Sequence, residues 1–237
     1  MEALQGSGSA VAVRVVPGEI LSKDATTRAV VPSAAVPRWA PFERVAESIA
    51  TPRRRFPPHR HESVEVLTYV IEGSGTYDYG SGPSTPLLAG SVNLLTAATS
   101  VTHGINPGKG QTIRYFAVIV TLPAVASSQP RMQSARPEPP SPQPDGTVGR
   151  TLVGHGKALV SAVGLECEAI EFRSAGTTFR KVGHDRVAIG YAVSGIGKVD
   201  NQALEAGEAA LVDDAAGIAI TGRAGLRLIL TSAPRPP

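Results

Sequence analysis

Charge, cysteine and aromatic rings are all scarce in this chain. Of its 237 residues, 18% are charged, 5% are aromatic, and one, Cys167, is a cysteine. A single cysteine excludes an internal disulfide and accords with a reducing compartment. Cys167 lies in an apolar run and reads as a small core residue rather than a nucleophile. With few aromatics, Ala, Val, Leu and Ile must fill most of the core. Sustained helical periodicity behind a capping pattern is also missing, which argues against a helical fold. No apolar run is long enough to span a membrane, and Met1 to Ala10 lacks the basic-then-apolar layout of a secretory signal. We therefore expect a soluble, cytoplasmic protein without a membrane partner. The net charge of +3 is small, and no aromatic residues interleave with basic ones, so direct nucleic-acid binding is not expected.

What the chain does have is turn-formers: 25 Gly and 20 Pro beside 42% hydrophobic residues. That composition predicts many short strands joined by turns. Strands are expected at Val11 to Val16, Arg28 to Val31, Val64 to Glu72, Thr76 to Tyr79, Val92 to Leu95 and Thr112 to Leu122. A loop with the single tryptophan, Trp39, should pin the N-terminal arm to the core. From Pro123 to Gly149 the chain becomes rich in proline and polar residues and reads as an extended crossing. Strands resume from Thr151. The two sides of that crossing echo each other. Tyr69-Val70-Ile71-Glu72-Gly73-Ser74-Gly75 parallels Tyr191-Ala192-Val193-Ser194-Gly195-Ile196-Gly197, and an Ala-Gly turn follows each, at Ala89-Gly90 and Ala206-Gly207. A duplicated β unit implies an all-β chain of two small barrels or jelly rolls. The expected layout is an N-terminal domain 1–122, a linker 123–149 and a C-terminal domain 150–237.

The chemistry is concentrated in one stretch. His59, His61 and Glu65 stand at the entry to the Val64 strand, and in an unbroken extended chain they share one face, with Leu67, Tyr69 and Ile71 continuing it. A later loop delivers His103. Imidazoles with a carboxylate suit a divalent transition metal. The equivalent segment of the second half, Thr178 to Arg186, holds one histidine and no His-x-His pair, so a metal site is expected in the first half only. His155 and His184 read as surface or turn histidines. The basic run Arg53-Arg54-Arg55 reads as a solvated loop, with attraction of an anionic substrate as the alternative.

A His-x-His-x3-Glu run opening a strand, followed by an Ala-Gly turn and a further histidine, resembles the cupin metal motif. More narrowly, the chain resembles the pirins and pirin-like bicupins. The likeness rests on His59-Arg60-His61, Thr68-Tyr69-Val70-Ile71-Glu72-Gly73, Leu95-Thr96-Ala97-Ala98 and Pro41-Phe42, and on Leu122-Pro123 with Pro130-Arg131-Met132-Gln133 at the link between domains. It is strongest from Pro57 to Leu122. The resemblance implies a bicupin of two jelly-roll β-barrels, with the metal in the N-terminal one. It also implies His59, His61 and His103 as ligands to one metal, Fe(II) being favoured over Mn, Ni, Cu or Zn. The pirin pattern has a glutamate ligand where this chain has Ile105, so Glu65 is the expected fourth ligand and also the expected base. The activity implied is that of a quercetin 2,3-dioxygenase, which takes a small hydroxylated aromatic or enol substrate and dioxygen. The alternatives are a non-catalytic metal-binding regulator, or a small-molecule pathway cupin with another oxidation, isomerisation or cyclisation. A monomer or weak homo-oligomer is expected.

Overall fold

The computed structural model describes residues 12–21, 26–80, 82–123, 129–136, 139–154 and 159–236. The readings made for Met1 to Ala10 and for His155 fall outside these residues. Every regular element among the described residues is a strand, as the scarcity of helical periodicity implied. The strands form two large antiparallel assemblies, one per half of the chain.

In the first half the central sheet runs Val92–Ala97, Val64–Tyr79, Ile113–Thr121, Phe42–Ala50, Thr27–Val31. The sequence reading divides Val64–Tyr79 at Gly73, whereas the structure carries one strand of 16 residues through it. Gly73 adopts φ +83, and a Cβ there would sit 1.8 Å from the Thr112 carbonyl oxygen. Only glycine allows that approach. The pairing with Ile113–Thr121 slips by one residue at this point, and the strand bends out of the central sheet. Its far end then pairs with Thr85–Leu88 on one side and Val101–Pro107 on the other. Phe56–His61 pairs with Val101–Pro107 and completes a curled second layer. The second half repeats the scheme with the long strands Gly176–Ser194 and Glu208–Gly222, whose pairing is interrupted by a bulge between Gly183 and Val187.

Two segments cross from one half to the other. Ala12–Pro17, assigned from sequence to the N-terminal domain, pairs along its length with Glu208–Gly222 of the second half. Val13 and Val15 pack against that half's interior, so the strand both covers an open edge and buries side chains. Arg131–Ala135 lies within the stretch read as a linker, yet it pairs with Val92–Ala97 of the first half. Its prolines flank the strand rather than interrupt it, which leaves five residues free to hydrogen-bond.

The two central sheets pack face to face. Leu67, Tyr69, Ile71, Phe116 and Val118 from the first half and Val187, Ile189, Tyr191, Val193 and Ile229 from the second share one apolar core. Cys167 belongs to it too, and burial pushes its thiol pKa up, against any role as a nucleophile. Trp39 packs against the same core. Phe116 and Tyr191 stack with ring centroids 5.3 Å apart. The Tyr191 hydroxyl donates to Glu47 at 3.1 Å, and Arg114 grips both oxygens of Glu47 at 2.9 Å while donating to the Val193 carbonyl at 3.0 Å. Each buried Leu, Ile, Val or Phe side chain contributes about 1.5–3 kcal/mol, so this shared face dominates the cohesion of the two halves. Phe116→Ala should therefore destabilise the protein by about 3–5 kcal/mol. The check is the urea-unfolding midpoint, with both halves lost in one transition.

Candidate metal centre

Phe56–His61 is an edge strand whose two prolines, Pro57 and Pro58, hold it extended and remove two donors. Alternation places His59 and His61 on one face. Pairing with Val101–Pro107 sets His59 directly opposite His103. The result is a tight triangle. Ring centroids lie 4.8 Å apart for His59 and His61, 4.5 Å for His59 and His103, and 4.7 Å for His61 and His103. One nitrogen from each ring lies within 4.8 Å of the other two, and no other group of three His, Cys, Asp or Glu with this geometry occurs among the described residues.

The nitrogens themselves test whether a metal fits. His61 Nε2 and both ring nitrogens of His103 are buried without a hydrogen-bond partner. Orphaned buried polar atoms are costly, by about 1–3 kcal/mol each, unless something coordinates them. His59 Nδ1 is 3.0 Å from the Pro57 carbonyl oxygen. A carbonyl only accepts, so Nδ1 carries the proton and Nε2 is left with its lone pair for a metal. Desolvation, then the neighbouring His59 and Arg44, lowers the His61 pKa to about 4. Desolvation and the other two histidines lower His103 to about 3. Both rings are neutral at pH 7, which is the protonation state that ligation requires. The residues fit a divalent metal held by three imidazoles.

The triangle opens on a cavity of about 390 Å³. His59 faces solvent at its mouth and His103 is buried, 4% exposed. Val66 and Thr68 of the long strand line the cavity, and so does Ile105. Ile105 is 3% exposed and occupies an apolar wall position where the pirin pattern would have placed a carboxylate. Tyr77, fully buried, lays its ring 5.0 Å from that of His103.

Glu65 is not part of this site. The residues lining the cavity from its strand are Val66 and Thr68, so Glu65, Leu67, Tyr69 and Ile71 point to the opposite face. The expected sharing of a face with the histidines assumed an unbroken strand. Instead the chain turns at Glu62 and Ser63, where Ser63 has φ +57, and the alternation restarts with reversed parity. Glu65 is fully buried on the side of the second half. Its carboxyl group accepts from Thr96 Oγ1 at 2.9 Å, from the Ala162 N–H at 3.0 Å and from Ser161 Oγ. Ser161 Oγ in turn accepts from the N–H groups of Val163 and Leu165 at 3.1 and 2.9 Å. With three donors from both halves on its two oxygens, and on the face away from the histidines, this carboxyl ties the halves together.

Arg44 is the cavity residue that sequence reasoning passed over. It lies on Phe42–Ala50, where Val45 faces the shared core and Arg44 and Ser48 face the histidines. An arginine within an otherwise half-apolar strand was the available signal. In the basic run Arg53-Arg54-Arg55, Arg53 and Arg55 are exposed and Arg54 is half-buried, and none of the three lines the cavity. In the second half, Gly176–Ser194 carries Arg180 paired with Glu168 at 2.9 Å and Asp145 at 3.0 Å, a salt-bridge network in place of a metal-ligand set. His184 is exposed and its Nδ1 is 3.0 Å from Asp214 Oδ1.

Two curled antiparallel barrels define a bicupin, and among the described residues the three converging histidines of the first barrel make its one candidate metal centre. Residues 29–118, most of the first barrel, match the Pirin family model, so this part of the chain is similar to the pirins. A pirin-like protein from Caulobacter vibrioides is 27% identical over 207 residues, covering 82% of this chain and 84% of that one. Among solved structures, the nickel(II) complex of the bacterial pirin YhhW from Escherichia coli superposes with TM-score 0.78. It is 14% identical, over 94% of this chain and all of that one. Quercetin 2,3-dioxygenase from Acinetobacter baumannii gives TM-score 0.78 at 18% identity, over 94% of this chain and 79% of that one.

Two measurements check the centre. After reconstitution, elemental analysis should find about one divalent transition metal per chain, and His61→Ala should reduce it to background. The metal-free protein should also lose stability on acidification. Both histidines have folded pKa values depressed from 6.5, to about 4 and about 3, so the unfolded chain binds protons first as pH falls. Stability is then level above pH 6.5 and declines between 6.5 and about 3, and the thermal midpoint of chelator-treated protein should track that window less steeply in His103→Ala.

Proposed function

We propose that this protein is a metal-dependent oxygenase of quercetin 2,3-dioxygenase type, acting with dioxygen on a small hydroxylated aromatic or enol substrate. The observation that carries this reading is the exposure gradient across the triangle. His103 is buried beneath an open cavity of about 390 Å³ while His59 stands at its mouth, which leaves room for a substrate beside the ligands. A divalent metal held by His59, His61 and His103 would supply a Lewis acid and a meeting point for substrate oxygen and dioxygen. Fe(II) is the metal we propose. The nickel in the YhhW structure and the reaction named for the Acinetobacter protein lend support by likeness of fold.

The chain's own residues then divide the work. Arg44 places a guanidinium on the cavity wall, where it favours the deprotonated form of a substrate hydroxyl. The hydroxyls of Ser48 and Thr68 lie on the same lining and can orient the substrate's oxygens. Ile105, Val66 and Ile119 supply an apolar bed for a ring and exclude water from it. No carboxyl group lines this cavity among the described residues, so the substrate hydroxyl would lose its proton to solvent water at the open mouth, and Arg44 would stabilise the anion that remains.

A second reading, a small-molecule cupin with another oxidation, isomerisation or cyclisation, is favoured by Ile105, because an altered ligand set accompanies altered chemistry. Oxygen consumption separates the two. Protein reconstituted with Fe(II) under anaerobic conditions should consume dioxygen when given quercetin. His103→Ala should abolish the uptake, and Arg44→Gln should raise KM by about tenfold or more, the loss of one charge-assisted contact. Metal-loaded protein that consumes no dioxygen with any flavonol would sink the oxygenase reading and leave the second one standing.

A further inference from the structure

A second cavity, of about 240 Å³, lies where the two halves meet. It opens on the face of the long strand opposite the histidines, because Tyr69 lines it whereas Val66 and Thr68 line the metal cavity. Tyr69 and Gly90 come from the first half, and Arg150 and Arg227 from the second. Neither the family match nor the metal centre assigns this cavity a role.

One of its polar groups, Arg150, is left short of partners. Tyr69, only 8% exposed, lines the cavity with a phenol ring. Arg150 donates from Nη1 to the Gly90 carbonyl at 3.2 Å, but its Nε is buried and unpartnered, and no described carboxylate lies within ion-pair distance of it. A half-buried guanidinium without a counter-charge is unfavourable unless an anion arrives. Arg227 sits at the rim, 36% exposed and 3.5 Å from Glu72, a carboxylate that it shares with Arg114 at 3.3 Å. The one carboxyl group on the lining, Glu171, lies 4.0 Å from Arg173. The lining therefore carries two cations against one anion. Burial raises the Tyr69 pKa, with Arg150 and Arg227 opposing, so the phenol remains a donor at neutral pH. Val148, Val193, Leu228 and Ile229 make up much of the remaining wall, which suits an apolar body.

We propose that this interdomain cavity binds a small organic acid, a monocarboxylate with an apolar body, whose carboxylate is received by Tyr69, Arg150 and Arg227. The volume, below the usual range for drug-sized ligands, limits the guest to about one ring. Benzoate is the probe, with benzamide as its neutral counterpart, each titrated calorimetrically into the metal-free full-length protein. Benzoate should bind saturably at one site per chain, and benzamide at least about tenfold more weakly. Tyr69→Phe and Arg227→Gln should each weaken benzoate by about tenfold, as loss of a charge-assisted hydrogen bond requires. Arg150→Gln should weaken it further. His103→Ala, which alters only the metal cavity, should leave the binding unchanged. The proposal fails if benzoate shows no saturation, if benzamide binds equally well, or if binding survives Tyr69→Phe and Arg227→Gln but is lost in His103→Ala.

Discussion

A strand has two faces, and the strand Val64–Tyr79 needs both. One face carries Leu67, Tyr69 and Ile71 into the core shared with the second half, while the other carries Val66 and Thr68 into the cavity beneath the histidines. Because side chains alternate with a period of two, these assignments cannot be altered one at a time. A slip of one residue would put Leu67 and Tyr69 into the metal cavity and Thr68 into the apolar interface. The left-handed Ser63 is the device that permits the arrangement, since it lets His59 and His61 face the cavity without bringing Glu65 along. The candidate metal centre and the shared core both depend on that parity.

The same constraint explains the electrostatics. Glu65 is directed into the interface, where Thr96, Ser161 and the Ala162 N–H surround it with donors, so a buried carboxyl group becomes a fastening between halves. The metal cavity is left with imidazoles, hydroxyls and Arg44 and no carboxylate. A three-imidazole site without a charged ligand retains the full positive charge of a divalent ion, and Arg44 adds to it. On the proposed function, anionic oxygens of a substrate would be the groups best received there. The second barrel resolves its interior in the opposite way. Arg180, Glu168 and Asp145 neutralise one another there.

Much of the fold was legible because it depends on local pattern. The echo of Tyr69 to Gly75 in Tyr191 to Gly197 disclosed the duplication, and Gly/Pro punctuation disclosed the strands. His59, His61 and His103 could be chosen because two of them fall on alternate positions of one strand, where spacing alone brings them together. The long-range exchanges were not legible. Nothing local marks Ala12–Pro17 as a strand of the second half, or Arg131–Ala135 as an edge of the first, because an edge strand's partner is decided by which open edge lies within reach.

Residue types and their spacing alone determined an all-β duplicated chain with three histidines able to meet in one half. Only the folded chain decided which carboxyl and which cation accompany them. Glu65 lost its place because a single residue with positive φ inverts the alternation that follows, a backbone event without a sequence signature as plain as glycine or proline. Arg44 gained its place because a barrel wall is closed by strands far apart in the chain, and proximity across a sheet is a property of register rather than of sequence distance.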